Sequence, residues 1–244
     1  MMRADKRSND EMRPISFQAD FQLHPIASVM ASFGATRVLC AISISESVPR
    51  WRKEQQLPGG WLTAEYQMLP GATSPRGERE VSRGKISGRS AEIQRLIGRS
   101  LRAVLELSKL PEITIHVDCD VIDADGGTRC AAISGAGLAL ELACKRLQKQ
   151  GVLSQWPLRQ RVAAVSVGML QDEAILDLCY EEDAAAAVDM NVVMCSSGRL
   201  VEVQASGEEA SFSEEELAKM MGLAKKGLRQ IFDASEELLA KGLL

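Results

Sequence analysis

The residues best suited to chemistry lie in one stretch, Asp118 to Arg129, which reads DCDVIDADGGTR. The alternating run ITIHV before it predicts a half-buried strand, and the Ala-rich apolar run after it, up to Leu147, predicts a helix. A glycine turn that leads into a helix, with Thr128 as the expected N-cap, makes an anion site because free N–H groups and the helix dipole point at one spot. Arg129 adds a planar guanidinium that fits phosphate oxygens. The alternative is a capped helix with a surface arginine.

A second acidic segment, EEDAAAAVD, contains Asp183 and ends at Asp189. In one continuous helix these two aspartates would lie on different faces, whereas in a turn between two strands they would converge. Two converging carboxylates suit a hard cation such as Mg²⁺ when the phosphate oxygens of a bound substrate complete its coordination. The alternative is a solvated acidic turn.

A basic segment leads into a predicted amphipathic helix. From Arg76 to Arg102 there are eight basic residues against three acids, although the whole chain has a net charge of −4. Apolar residues recur at helical spacing from Ile93 to Leu105, and the helix is expected to begin near Ser90. Arg89 would then lie at a helix N-terminus, as a phosphate clamp would. Basic groups that share a face can bind nucleic acid in an acidic chain; the alternatives are a surface salt bridge for Arg89 and a solvated helix face.

Composition excludes several classes of protein. The 244 residues, 45% apolar and 25% charged, are typical of a globular protein with a proper core. No apolar run reaches the roughly 20 residues of a membrane span, so no membrane association is expected. Six cysteines without a CxxC pair indicate reduced thiols in a cytoplasmic protein. Only two histidines, His24 and His116, argue against a zinc hydrolase. Few aromatic residues, 4%, argue against a base-stacking platform.

The order of elements can be read along the chain. Residues 1–12 are charged and are expected to be flexible. Alternating apolar runs and turn residues predict strands over 15–23, 27–33, 36–45, 61–69, 161–170, 174–180 and 190–195. The segment 48–60, with two prolines and two glycines, is expected to be a mobile loop. Ser213 with Glu216 three residues later forms a capping box, which predicts a C-terminal helix.

Taken in order, these motifs resemble the bacterial RNase PH family. The strings that carry the resemblance are RPISF, GWLTAEYQMLP, GRSAEIQRLIGRSLRAV, DCDVIDADGGTR, EED with an aspartate six positions further on, and DMNVVM. The resemblance runs from about Arg13 to Phe212. It implies an α+β fold, related to a domain of ribosomal proteins, with the phosphate loop in residues 13–150 and the acidic turn and C-terminal helix in residues 151–244.

The resemblance also implies an activity and a set of roles. The family consists of phosphorolytic 3′→5′ exoribonucleases that trim tRNA precursors with inorganic phosphate and release nucleoside diphosphates. Its phosphate-binding positions correspond to Arg89, Gly127, Thr128 and Arg129. Its acidic pair, associated with Mg²⁺ and catalysis, corresponds to Asp183 and Asp189. Its RNA-gripping basic positions correspond to Arg76 and Arg79, while Gly71 stands where the family usually has a further arginine.

The same resemblance implies a homo-oligomer, because family members form a ring of six chains arranged as a trimer of dimers. Two rival interpretations follow from relatives in exosome assemblies. One is a non-catalytic ring subunit that binds RNA, and the other is a catalytic subunit that works only with an inactive partner. The expected phosphate and acid positions are all present, which favours the catalytic interpretation.

Overall fold

A computed structural model describes residue 3, residues 5–207 and residues 210–240, without the side chains at positions 81 and 83. Within these residues the chain forms two β-sheets and five α-helices, an α+β fold as the sequence predicts.

The first sheet is built from the N-terminal part of the chain. Its strands are β1 (Ile15–Ala19), β2 (Ala27–Phe33), β3 (Thr36–Ser45), β4 (Trp61–Met68) and β5 (Thr114–Asp123). Their order in the sheet is β1-β2-β3-β5-β4, and all neighbours are antiparallel except β4 and β5, which run parallel. The central position of β5 therefore delivers the end of this strand, and the glycine turn after it, to the middle of one sheet edge.

The second sheet is antiparallel throughout. Its strands are β6 (Val162–Leu170), β7 (Glu173–Leu176), β8 (Val188–Cys195) and β9 (Leu200–Gly207), in the order β7-β6-β8-β9. The predicted strand over 174–180 ends earlier, at Leu176, because Asp177 takes a left-handed backbone conformation (φ +54°) that breaks an extended strand.

Five helices complete the fold: α1 (Arg50–Glu54), α2 (Gly88–Val104), α3 (Thr128–Lys149), α4 (Tyr180–Ala185) and α5 (Glu214–Ala240). Helix α3 packs against β2 and β3 of the first sheet and against β6 of the second, so it joins the two sheets. All nine residues of β6 are buried because both α3 and α5 cover this strand. Helix α1 lies inside the segment 48–60 that the sequence predicts to be a mobile loop.

Capping bonds fix where two of the helices begin. The backbone N–H of Ser90 donates to Ser87 Oγ at 3.0 Å, so α2 begins at Gly88, slightly before the expected start. At α5 the predicted capping box is confirmed. Glu216 N–H donates to Ser213 Oγ at 3.2 Å, and Ser213 N–H donates to Glu216 Oε2 at 2.7 Å.

The described residues of the N-terminal segment, 3 and 5–12, include two buried arginines, while residues 1, 2 and 4 of the predicted flexible tail lie outside the described residues. Arg3 is 2% exposed, and its Nε and Nη2 donate to the two carboxylate oxygens of Glu182, both at 2.7 Å. Arg7 is also buried, and its Nη1 donates to the backbone oxygen of Asp177 at 3.2 Å. A charged segment is expected to be flexible when its charges are hydrated. These two arginines instead donate hydrogen bonds to buried carboxylate and carbonyl oxygens in the other half of the chain.

Replacing Glu182 with glutamine is expected to lower the melting temperature more at pH 7 than at about pH 3. Burial alone would raise the pKa of Glu182, but hydrogen bonds from Arg3 and the Cys179 N–H, together with the positive charges of Arg3 and Arg7, lower this pKa below the usual 4.5. A carboxyl whose pKa is depressed by folding stabilises the protein above its unfolded pKa. This contribution is lost as the pH falls through the folded pKa. Thermal unfolding of both proteins at the two pH values measures the effect.

The matched control is Glu181→Gln, which removes the same charge from the exposed neighbouring position of α4. This variant should unfold close to the unmodified protein at both pH values. An equal loss of stability for Glu182→Gln at both pH values would show that its ionised form does not stabilise the fold.

Candidate active site

The glycine turn, the start of α2 and the acidic segment meet at one pocket of about 200 Å³. Its lining comprises Arg89, Gly127, Thr128, Arg129, Ser166, Asp183, Ala186, Asp189 and Asn191. The structure thus brings together all six residues that the sequence singles out for phosphate binding and acid chemistry. They come from four separate elements: α2, the start of α3, α4 and β8.

The glycine turn has a left-handed backbone conformation that its two glycines permit. Gly126 and Gly127 have φ values of +73° and +65°, in the left-handed region that favours glycine. A Cβ at position 126 would lie 2.5 Å from the carbonyl oxygen of Leu178, so the turn packs directly on the segment leading into α4. Gly127 is the N-cap of α3. The sequence prediction of Thr128 as N-cap is therefore wrong by one residue, and Thr128 is the first residue of the helix.

The Thr128 side chain does not cap α3 but contacts Tyr66 instead. Its hydroxyl oxygen accepts a hydrogen bond of 2.9 Å from the phenol of Tyr66, which is 1% exposed. Burial raises the pKa of Tyr66, and the nearby charges of Arg89 and Arg129 only partly offset this. The phenol therefore keeps its proton at neutral pH and acts as the donor. The hydrogen of the Thr128 hydroxyl remains available to an oxygen in the pocket.

A buried ion pair supports the turn from behind. The backbone N–H, Nε and Nη2 of Arg13 all donate to the carboxylate of Asp177, at 2.8, 2.9 and 2.7 Å. Arg13 Nη1 also donates to the carbonyl oxygen of Asp125, the residue before the two glycines. Thr36 Oγ1 accepts from Asp125 N–H at 2.9 Å and donates to the Gly126 carbonyl at 2.7 Å. The turn is therefore fixed before any ligand binds.

Two arginines and two aspartates line the same pocket. Arg89 is the exposed second residue of α2. Arg129 is more enclosed, and its Nη1 donates to Gln204 Oε1 at 2.9 Å and lies 3.5 Å from Glu92 Oε1. Asp183 lies on the short helix α4, and Asp189 is the second residue of β8. The segment is neither one helix nor a plain turn, but the two aspartates do converge on the pocket.

The chemistry of this donor set fits Mg²⁺ better than zinc. Among the described residues, no group of three or more His, Cys, Asp or Glu side chains is arranged to hold a metal ion. Mg²⁺ is usually bound through one or two carboxylates, with water and substrate phosphates completing its octahedron. Asp183 and Asp189, which line one pocket with Arg89 and Arg129, fit that requirement.

Asp118 and Asp120, from the strand before the glycine turn, do not line the pocket. In β5 the core-facing residues alternate with Asp118 and Asp120, which are half-buried on the other face of the sheet. Glu65 is the register partner of Asp118 on β4, and burial together with the charge of Glu65 raises the pKa of both aspartates. Sequence spacing placed these acids close to the glycine turn, but the two-residue period of a strand turns them away from it.

Arg76 and Arg79 are exposed on the segment between β4 and α2, outside the pocket lining. Arg76 Nη1 donates to the backbone oxygen of Gly77 at 3.1 Å. Two further residues line the pocket that were not predicted from the sequence: Ser166 on β6 and Asn191 on β8. The available signal was a hydroxyl in the otherwise apolar run VAAVSVGML and an amide in MNVVM.

Fold and pocket together define an α+β protein with a polar pocket that is lined by two arginines and two aspartates. Comparisons with known proteins identify the family to which this fold and pocket belong. The family described as 3′ exoribonuclease family, domain 1 (RNase PH) matches residues 11–145, and domain 2 of the same family matches residues 160–227. The chain therefore belongs to the RNase PH family of 3′ exoribonucleases.

Relatives over the whole length support the same activity. The chain is 52% identical over 243 residues to Ribonuclease PH of Bacillus subtilis, covering 99% of this chain and 98% of the relative. It is 51% identical over 238 residues to Ribonuclease PH of Exiguobacterium sibiricum, covering 98% and 94%. The function that these relatives indicate is that of a phosphorolytic 3′ exoribonuclease.

Solved structures show the same fold at much lower identity. Rice Rrp46 has a TM-score of 0.76 at 22% identity, with 97% of this chain and all of that chain covered. The Archaeoglobus fulgidus exosome with RNA bound to the active site has a TM-score of 0.76 at 18% identity, covering 95% and 91%. In the part of the chain that the structure describes, no helix is long and apolar enough to span a membrane.

Proposed function

We propose that the pocket catalyses phosphorolysis of the 3′ end of tRNA precursors. The observation that carries this proposal is the convergence of Arg89, the glycine turn with Arg129, and the two aspartates in one pocket. An oxygen of inorganic phosphate attacks the last phosphodiester and forms a new P–O bond. The bond from that phosphorus to the 3′ oxygen breaks, and a nucleoside diphosphate leaves.

The first obstacle to this reaction is the repulsion between two anions. Arg89, Arg129 and the first N–H groups of α3 hold orthophosphate against that repulsion and stabilise charge on the transferring group. The hydroxyl of Thr128, with its oxygen occupied by Tyr66, donates to the same anion. Because the turn is fixed by Arg13 and Thr36, little reorganisation is needed when phosphate binds.

The two aspartates serve the leaving group. Asp183 and Asp189 would hold Mg²⁺, which supplies Lewis-acid stabilisation of charge on phosphate oxygens when bound. An aspartate in its protonated form would deliver the proton that the leaving 3′ oxygen needs, and general-acid help of this kind contributes about 10²- to 10⁴-fold. Both roles require carboxylates in the pocket that binds the anion, and the position of Asp183 and Asp189 in the same pocket lining as Arg89 and Arg129 supports them.

The decisive experiment uses a short RNA with a single-stranded 3′ tail. With inorganic phosphate and Mg²⁺ the protein should release nucleoside diphosphates, and without phosphate it should release nothing. Addition of EDTA should stop the reaction, and excess Mg²⁺ should restore it. Release of nucleoside monophosphates without phosphate would mean hydrolysis and would overturn the proposal. Absence of any product would favour a non-catalytic ring subunit.

Replacing Arg76 and Arg79 together with alanine is expected to weaken RNA binding and to reduce its dependence on salt. Each cation that contacts a phosphate releases counterions, so losing two should make the slope of log K against log salt shallower by about 1.4 for single-stranded RNA. Fluorescence anisotropy of a labelled RNA at several salt concentrations measures this slope. The affinity for inorganic phosphate should not change, because neither arginine lines the pocket.

Gly71→Arg adds a positive charge to the segment that carries Arg76 and Arg79, the reverse of the double alanine variant. Gly71 is exposed, and a Cβ at this position would meet no atom within 4 Å, so a side chain can start here without a clash at its first atom. It should tighten RNA binding and steepen the salt slope. Unchanged slopes in both the double alanine variant and Gly71→Arg would show that RNA does not pass over this segment.

We also propose a homo-hexameric ring, a trimer of dimers, acting in the cytoplasm. Support for a ring comes from the fold that the chain shares with the exosome structures. Support for the compartment comes from six cysteines that are all free, as expected in a reducing environment. Light scattering of the purified chain tests the assembly. A particle of about six chains that is active alone would argue against dependence on an inactive partner.

A further inference from the structure

We infer that Ser166 is an additional ligand of the orthophosphate, donating a hydrogen bond from its hydroxyl to a phosphate oxygen beside Gly127. This inference rests on the proposed function and deepens it, because it adds a residue on β6 to a site otherwise built from α2, α3, α4 and β8. The motif resemblance assigns no role to this serine.

The first observation is the state of the hydroxyl. Ser166 is 5% exposed, and its Oγ makes no hydrogen bond to any protein atom in the described part of the chain. Every other buried serine or threonine hydroxyl of the described residues has a partner: Ser28, Thr36, Ser90, Ser100, Thr114, Thr128, Ser134 and Ser235. A buried hydroxyl without a partner carries a desolvation cost of roughly 1–3 kcal/mol. Such a group is therefore expected to have a functional reason.

The second observation is where the hydroxyl lies. Ser166 lines the pocket together with both arginines and both aspartates. An ideal Cβ on Gly127 would lie 3.6 Å from Ser166 Oγ, so the hydroxyl stands next to the N-cap of α3. The free N–H groups of a first helical turn point outwards from this position. The serine hydroxyl and the helix start can therefore serve the same anion.

The chemistry favours an anion over a cation at this position. A hydroxyl can donate or accept, and several donors lie on this side of the pocket: the helix N–H groups, the Thr128 hydroxyl and the arginine side chains. The carboxylate oxygen near Gly127, Asp177 Oδ1, already accepts a hydrogen bond of 2.7 Å from Arg13 Nη2. An orthophosphate presents four oxygens with several lone pairs, enough to accept from all of them. Mg²⁺ would seek oxygen ligands that carry charge, and these are the two aspartates. We therefore assign the serine to the proposed phosphate ligands near the start of α3, and not to the proposed metal ligands Asp183 and Asp189.

The test is direct binding of inorganic phosphate, without RNA, measured by titration calorimetry on the full chain. Ser166→Ala should raise the dissociation constant for phosphate roughly 10- to 100-fold, the range for losing a hydrogen bond to a charged group. The melting temperature without phosphate should not fall, since the hydroxyl has no protein partner to lose. Ser166→Cys, which keeps most of the volume but is a weak donor, should show the same loss of affinity.

Ser100→Ala is the matched control. Ser100 is a buried serine on α2 whose hydroxyl donates to the Leu96 carbonyl at 2.8 Å, away from the pocket. It should lower the melting temperature without changing phosphate affinity, the reverse of the pattern for Ser166. Unchanged phosphate affinity in both Ser166 variants would overturn the inference alone. If the unmodified protein bound no phosphate, the proposed function would fail first, and this inference with it.

Discussion

Replacing Arg89 with alanine is expected to lower the rate of phosphorolysis by about 10²- to 10³-fold, the usual cost of removing one preorganised charge contact. Arg89 lines the pocket from the first turn of α2. In the proposed reaction, Arg89 and Arg129 offset the repulsion between orthophosphate and the RNA phosphate. Its exposed position means that the fold should be unaffected. Steady-state rates over a range of phosphate concentrations, with a melting curve for each protein, measure both effects.

The matched control is Arg95→Ala, which removes another exposed arginine from the same helix, outside the pocket lining. It should keep nearly full activity at saturating RNA. If Arg89→Ala retained the activity of this control, the phosphate would have to bind elsewhere. A large loss of melting temperature in Arg89→Ala would instead assign it a structural role.

Replacing Asp177 with asparagine is expected to destabilise the protein and to weaken phosphate binding at the same time. Asp177 is 1% exposed and accepts three hydrogen bonds from Arg13, so the substitution leaves a buried guanidinium without its counter-charge. Breaking a buried pair in this way typically costs about 3–5 kcal/mol. In a chain of this size such a loss lowers the melting temperature by about 6–20 °C.

The effect on phosphate follows from the second contact of Arg13. Its Nη1 donates to the carbonyl of Asp125, so an arginine that has lost its carboxylate no longer holds the glycine turn in position. Asp172→Asn is the control, since Asp172 is exposed in a tight turn and asparagine tolerates its left-handed backbone (φ +65°). A stable Asp177→Asn protein with unchanged phosphate affinity would show that the ion pair does not support the site.

Local patterns predicted the elements well, because they depend on neighbours along the chain. The strands over 27–33 and 36–45 match the structure as β2 and β3, and the capping box of α5 is present with both of its hydrogen bonds. The differences lie mainly at element ends, apart from α1, which lies inside the segment 48–60 predicted to be a loop. The helix after the glycine turn begins one residue from the expected N-cap, because Gly127 can adopt a left-handed conformation that Thr128 would resist.

Long-range contacts explain what the patterns could not give. Nothing in the string EEDAAAAVD requires Asp183 and Asp189 to face Arg89, nearly 100 positions earlier in the chain. The packing of α3 against both sheets brings these residues together. Likewise, the burial of Arg3 depends on Glu182, and the support of the glycine turn depends on the pairing of Arg13 with Asp177. Each of these ion pairs joins the two halves of the chain.

The sequence by itself determined which groups are available: a glycine turn at a helix start, arginines on a basic segment, and paired aspartates. Side-chain chemistry and local backbone preference are sufficient for that. Only the tertiary structure decided which of these groups share a pocket, that Asp118 and Asp120 face away from it, and that Ser166 joins it. The reason is physical: strand alternation and helix packing set the direction of each side chain, and those directions are fixed only when the two sheets close around α3.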